Sequence, residues 1–145
     1  MYTYTDFDIQ FVKQRAAQYR DQYERWKNGQ LSDDEFRPLR LQNGWYVQRY
    51  APMLRVAVPY GELSSAQVRA LAKIAREYDR PDTALLADAQ ATQDAISDFP
   101  APRLKHGYGH FSTRQNVQFN WIPLDQSADV MDLLASVNLH GIQTS

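Results

Sequence analysis

The sequence contains no cysteine among its 145 residues, and this absence removes several classes of site. Without thiols the chain cannot build a disulfide framework, a thiolate nucleophile or a cysteine zinc site. It also cannot supply thiolate ligands to an iron–sulfur cluster from its own residues. Thiol chemistry is therefore excluded for this chain.

Long apolar runs and a charge imbalance are missing as well. No run approaches the roughly 18 apolar residues of a membrane span, and the start, MYTYTDFD, lacks a basic region followed by an apolar segment. We therefore expect a cytoplasmic protein without a membrane partner. With a net charge of −1 and a pI of about 6.3, the chain has no overall positive charge that would attract nucleic acid or an anionic membrane. Any anion site must be local.

Histidine is scarce, and its spacing predicts no metal site in this chain alone. His106, His110 and His140 match neither HExxH nor another compact metal pair. The apolar fraction of 43% and the charged fraction of 23% are ordinary for a globular protein. The length suits one domain with its own core.

The N-terminal part of the chain carries helix signals. Residues 5–28 show helical spacing of apolar side chains, with Thr5 as N-cap. A capping-box pattern at Ser32 predicts one short helical turn, which Pro38 should limit. We interpret residues 1–40 as a helical arm that could wrap around a domain or a partner.

Residues 41–145 alternate between extended and helical patterns. The expected elements are extended pieces at 45–50 and 53–58, a helix from Ser64 to about Asp79, a helical excursion near 83–96, two strands around Arg114, a helix capped by Asp125 or Ser127, and an incipient strand from Leu139. From Met53 onward this is the βαββαβ order of a ferredoxin-like α+β sandwich, a mixed antiparallel sheet with helices on one face. Residues 82–105 are interpreted as an insertion.

The stretch from His106 to Trp121, HGYGHFSTRQNVQFNW, is rich in polar donors. It predicts two strands, along which successive side chains point to opposite faces. The apolar face of the second strand carries Val117, Phe119 and Trp121. The polar faces carry His110, Ser112, Arg114, Asn116, Gln118 and Asn120. In an aligned hairpin these polar faces form one platform.

Arg55 interrupts an otherwise apolar strand. Alternation puts Leu54 and Val56 on one face and Arg55 on the other. An arginine in mid-strand needs a partner, and solvent or a salt bridge is the simplest one. We expect helices to cover the Leu54 face. The residues expected to share the open face are Arg55, His110, Ser112, Arg114 and Gln118.

Arginine guanidinium groups bind carboxylates and phosphates through two parallel hydrogen bonds. Such groups among amides and hydroxyls therefore suit a planar ligand that carries several carboxylates or phosphates. One such ligand is nucleic acid, because Gly107 to Phe111 resembles the RNP1 signature of RNA-recognition domains. That signature belongs to the third strand of its fold, whereas here it falls on the second. The acidic pI also argues against nucleic acid. A third alternative is a scaffold domain that binds no ligand.

Three blocks of sequence support a more specific interpretation. They are RLQNGWYVQR at 40–49, MLRVAVPYG at 53–61 and GYGHFSTRQNVQFNW at 107–121. In this order they resemble the N-terminal half-domain of the sirohaem-dependent nitrite and sulfite reductases. The resemblance implies a sheet that forms a bed for sirohaem, an iron macrocycle with many carboxylates. It implies an enzyme that couples sirohaem to a 4Fe-4S cluster for the six-electron reduction of sulfite to sulfide or nitrite to ammonia.

The resemblance also assigns roles to individual residues. Arg55 resembles the arginine that contacts both sirohaem and the anionic substrate, which makes it the candidate catalytic residue. Ser112, Arg114 and Gln118 match positions that hold the carboxylates of the macrocycle. His110 falls where some relatives have arginine. The remaining candidate cofactor-binding residues of the same block are Thr113, Gln115 and Asn116.

Other parts of such a reductase lie further along the relatives, namely the cluster cysteines, the catalytic lysines and a second substrate arginine. We therefore expect an N-terminal fragment that is inactive alone and binds sirohaem weakly. Its expected partners are the remainder of the reductase polypeptide and a flavoprotein or ferredoxin electron donor. Exposed surface could also cause self-association. The choice between sulfite and nitrite stays open.

Overall fold

The computed structural model describes residues 2–48, 52–81, 87, 91, 109–142 and 144. The predicted insertion at 82–105, with its helix near 83–96, lies outside the described residues apart from two single positions. No helix in the described ranges is long and apolar enough to cross a membrane.

Two helices form the N-terminal part, α1 at Asp6–Lys27 and α2 at Asp33–Gln42. Thr5 caps α1 through a reciprocal capping box, so this helix is confirmed. The expected short turn is wrong, because α2 continues through Pro38. Burial explains the difference: Phe36 is 1% exposed and stacks on the Trp26 ring at 4.8 Å. The free energy gained from this packing offsets the loss of the backbone hydrogen bond that proline cannot form.

The sheet has four described strands, β1 at Trp45–Val47, β2 at Pro52–Ala57, β3 at Gly109–Ser112 and β4 at Asn116–Phe119. Their order is β1-β2-β4-β3, and all three pairings are antiparallel. Helix α3, Ser65–Glu77, follows β2, and α4, Ser127–Ala135, follows β4. The predicted α+β class is confirmed, and the arrangement is consistent with a ferredoxin-like fold.

One face of the sheet packs into the hydrophobic core together with side chains of the helices. The buried side chains on this face are Leu54, Val56, Val117 and Phe119, as alternation predicts.

Helix α4 begins after a short 3-10 turn, Leu124–Gln126, and its N-cap is Gln126. The expected cap at Asp125 or Ser127 is therefore wrong.

Helix α1 packs against α4. The buried hydroxyl groups of Tyr19 and Ser127 lie 2.9 Å apart, and Arg20 forms ion pairs with Asp129 and Asp132. The N-terminal arm thus packs on the domain that follows it. The boundary at residue 40 stays a prediction.

The expected last strand is wrong for the described residues 139–142, which form no strand. The position beside β2 is taken by β1, whose Trp45 pairs with Leu54. Next to it the His140 carbonyl accepts a hydrogen bond from the Ala57 amide at 2.8 Å. The C-terminal segment therefore lies against the same edge of β2 without extending the sheet.

Candidate functional site

The strand register brings three of the predicted site residues into one row. Arg55 of β2 pairs with Gln118 of β4, and Gln118 pairs with His110 of β3. Directly paired residues point to the same side of a sheet. The row lies on the face opposite the buried Leu54 and Val56. We call this surface the open face.

A second row on the open face consists of Ala57, Asn116 and Ser112, which pair in the same way. Asn116 is only 6% exposed, whereas Ser112 is half-buried. A cavity of about 220 Å³ at this end of the face is lined by Ala57 and Asn116 together with Ile142 and Thr144. The C-terminal segment therefore covers one end of the open face.

Arg55 is half-buried and has no ion pair among the residues that the structure describes. Its Nε is buried and without a hydrogen-bond partner in the same set. The guanidinium carbon lies 4.8 Å from the centroid of the Tyr46 ring, a cation–π contact. A buried cationic donor without an acceptor is costly unless a ligand provides one. The arrangement can bind an anion.

Tyr46 is a residue that the sequence analysis missed. It pairs with Met53 on the open face, and its hydroxyl donates to the Thr144 carbonyl at 3.0 Å. Strand alternation within 45–50 could have indicated its face. Its pairing with the second strand could not be found from the sequence, since register depends on both strands.

Arg114 lies in the turn between β3 and β4, at positions 113–115, together with Thr113 and Gln115. Strand alternation therefore does not extend to Arg114, and its predicted place on a strand is wrong. Its exposed side chain lines the 220 Å³ cavity beside Asn116, and its amide donates to Ser112 Oγ at 3.3 Å. Arg114 and Gln115 are thus brought to the end of the open face by the turn.

Phe111 separates two interpretations of the hairpin. It pairs with Val117, which pairs with Val56, so it lies on the side opposite Arg55. An RNA-recognition sheet stacks bases on aromatic residues of its open face. Phe111, the aromatic residue of the RNP1-like segment that the structure describes, points away from Arg55, which does not favour nucleic acid.

Asp79 is a buried carboxyl group near the end of β4 for which the sequence predicted no structural role. It is 1% exposed, and its Oδ1 accepts a hydrogen bond from the Trp121 amide at 2.8 Å. Burial raises the pKa of this carboxyl group to about 6, against the smaller opposing effect of backbone donors at Trp121 and Asn120. Asp79 fixes the chain just after β4, which carries Gln118.

No group of three or more histidine, cysteine, aspartate or glutamate side chains in the described ranges could hold a metal ion.

A family model described as the nitrite/sulfite reductase ferredoxin-like half domain matches residues 46–85 and 101–137, just over half of the chain. This match contains every predicted site residue. No curated protein and no solved structure matches.

Proposed function

The chain belongs to the family of nitrite/sulfite reductase ferredoxin-like half domains, and from this premise we propose that its open face forms part of the sirohaem and anion site of such a reductase. The family belongs to nitrite/sulfite reductases, and a role of this chain in their activity is part of our proposal. The cofactor, the substrate and the residue roles are our proposal.

The observation that carries the proposal is that Arg55, in its row with Gln118 and His110, forms no ion pair with any described residue. A guanidinium presents donors in a rigid fork that matches carboxylate and oxyanion geometry. Its buried Nε has no acceptor in the described ranges, and no described carboxylate neutralises its charge. A ligand with several acceptor oxygens would satisfy both requirements.

Sirohaem fits this donor set because it is planar and carries many carboxylates. When bound, it supplies the redox-active iron for electron transfer to sulfite or nitrite. Arg55 would hold both the macrocycle and the substrate anion, and thereby stabilise negative charge at the reacting centre. The residues that would bind the carboxylates are His110, Ser112, Thr113, Arg114, Gln115, Asn116 and Gln118.

The rest of the proposal concerns parts that this chain does not supply. The 4Fe-4S cluster would be held by cysteines of the remainder of the reductase polypeptide, since this sequence has none. Electrons would come from a flavoprotein or a ferredoxin. The chain alone would be inactive, and its location in the cytoplasm stays a prediction.

The test compares Arg55 variants in the assembled reductase. The chain is produced with the remainder of its reductase polypeptide in a host that makes sirohaem. The visible spectrum and the methyl-viologen-driven reduction of sulfite and nitrite are then measured. We expect Arg55→Ala to lower kcat/KM about tenfold or more, because a charge-assisted hydrogen bond contributes roughly 1.5–3 kcal/mol.

Two controls make the result specific. Arg55→Lys keeps the charge and loses the fork, so we expect an intermediate loss. Arg69→Ala removes an exposed arginine of α3 and should change neither spectrum nor rate. A colourless and inactive preparation of the parent protein would contradict the proposal.

A further inference from the structure

A second cavity, of about 400 Å³, lies between the start of α1 and the 3-10 turn Pro59–Gly61. Four tyrosine or phenylalanine rings are prominent in its lining, those of Tyr2, Tyr4, Phe11 and Tyr60, together with the carboxyl group of Asp8 and the imidazole of His140. Its volume is that of a small-molecule site. Pro59 and Gln115 line both this cavity and the smaller one on the open face, so the two are neighbours.

The aromatic rings form walls at different angles. Tyr2 and Tyr4 meet edge to face, with centroids 5.0 Å apart and planes at 85°. Tyr60 lies 5.8 Å from Tyr2. All three rings line the cavity, and the electron-rich face of an aromatic ring attracts a cation, which is how quaternary ammonium groups are recognised.

The backbone holds two of the lining residues in an unfavourable conformation. Tyr60 has φ 59° and ψ 11°, and Gln115 has φ 58°. This left-handed region is uncommon for residues other than glycine, and it costs roughly 1–2 kcal/mol. The Val58 amide donates to the Gln115 carbonyl at 2.9 Å and ties the two segments together. Such strain is concentrated at binding sites, where it aims side chains.

The charges in the cavity favour a cation. Asp8 Oδ2 accepts hydrogen bonds from the Thr5 amide and hydroxyl, both at 2.8 Å, and these bonds lower the pKa of Asp8. Burial and the nearby Arg15 lower the pKa of His140, which keeps it neutral at pH 7. Arg15 does not line the cavity, and neither does any other described lysine or arginine. Among the described residues, the lining thus carries one carboxylate and no lysine or arginine.

We propose that this cavity binds a small organic cation of the quaternary ammonium class, with the tyrosine rings around the methyl groups and Asp8 as the counter-charge. Aromatic walls cannot replace the water ligands of a strongly hydrated inorganic cation, so they favour an organic cation instead. The apolar lining and the single carboxylate fit a cation whose surface is largely apolar. This site is separate from Arg55 and does not depend on the proposed reductase function.

The test is a titration of the chain with choline and with 3,3-dimethylbutan-1-ol, its neutral isostere. Amide chemical shifts of Tyr60 and Gln115 in ¹H–¹⁵N spectra report on binding at the cavity. We expect choline to bind at least about tenfold more tightly, which corresponds to a cation–π and ionic contribution near 1.4 kcal/mol. Equal affinity for the two compounds, or no shift with choline, would overturn the proposal.

Variants localise the effect. Tyr60→Ala and Asp8→Asn should each weaken choline binding by about threefold or more. Phe111→Ala removes an exposed aromatic side chain elsewhere and should leave binding unchanged. Arg55→Ala should also leave it unchanged, which separates this proposal from the reductase function. Full choline affinity in Asp8→Asn would overturn the assignment of the counter-charge.

Discussion

Arg55 and Tyr46 form a cation–π pair on the open face, with the guanidinium carbon 4.8 Å from the ring centroid. The Tyr46 hydroxyl donates to the Thr144 carbonyl at 3.0 Å. The single Thr144 hydroxyl proton is shared between two backbone carbonyls, that of Gly141 at 2.9 Å and that of Arg55 at 3.3 Å. The side chain of Arg55 thus contacts Tyr46, and its backbone carbonyl lies beside Thr144, which binds the Tyr46 hydroxyl. Tyr46 is a positioning residue for the guanidinium.

The first prediction measures this pair. In a double-mutant cycle with Tyr46→Leu and Arg55→Met, we expect a coupling of about 0.5–1 kcal/mol in the free energy of unfolding, since the site is only half-buried. Urea denaturation measures it. Tyr46→Phe keeps the ring and should preserve the coupling, although it loses about 1 kcal/mol with its hydrogen bond. A coupling of zero would mean that the ring does not position Arg55.

The second prediction concerns the close approach of the C-terminal segment to β2. A Cβ atom at Gly141 would lie 2.3 Å from the Asn43 carbonyl oxygen and 2.7 Å from that of Arg55. Backbone atoms cannot move aside cheaply, so Gly141→Ala should lower the free energy of unfolding by roughly 1–3 kcal/mol or more. In the assembled reductase it should also weaken anion binding, because the Arg55 backbone is displaced.

Gly29→Ala is the matched control for this experiment. Gly29 has φ +77°, and a Cβ there meets nothing within 4 Å. Only the left-handed backbone opposes the change, at a cost of about 1–2 kcal/mol. Denaturation of both variants gives the comparison. Anion binding should be normal in Gly29→Ala, and an equal loss of binding in both would contradict the local explanation.

The part of the fold that depends on local spacing was predictable from the sequence. The period of two along a strand placed Arg55, Gln118 and His110 on one face, and capping patterns at Thr5 and Ser64 located two helix starts. These signals come from neighbouring residues. They need no knowledge of tertiary contacts.

The part that depends on distant contacts was not predictable. Pro38 lies inside α2 because Phe36 is buried against Trp26, and local propensity does not include that packing. The edge beside β2 could accept either β1 or the C-terminal segment, and only the whole structure decides between them. Arg114 was misplaced because alternation ends where a turn begins.

A third prediction follows from the stacked side chains of Phe7 and Phe11, whose centroids lie 5.9 Å apart and whose exposed fractions are 74% and 42%. An exposed aromatic pair favours association between copies of the chain. Size-exclusion chromatography with light scattering should show self-association at micromolar concentration, and Phe7→Gln should reduce it. Val68→Gln, at an exposed residue of α3, should have no effect. A clean monomer of the parent chain would contradict the expectation.

The ionisation of Asp79, near the end of β4, makes the stability of the folded chain depend on pH. Its carboxyl group is 1% exposed, and Oδ2 has no hydrogen-bond partner among the described residues. Burial disfavours the ionised form and raises the pKa from its usual 3.8 to about 6. The folded chain therefore binds this proton more tightly than the unfolded chain does. The contribution of Asp79 to stability is present in full below about pH 4 and is lost as the pH rises to about 6.

The fourth prediction is that Asp79→Asn removes this pH dependence. Asparagine cannot ionise, and its side-chain oxygen can still accept from the Trp121 amide. At pH 7 the variant should be more stable than the parent chain by as much as about 3 kcal/mol, at 1.36 kcal/mol for each pH unit of pKa change. At pH 4 the advantage should nearly disappear. Urea denaturation at both pH values measures the difference, and a constant difference would show that Asp79 is ionised in the folded chain without penalty.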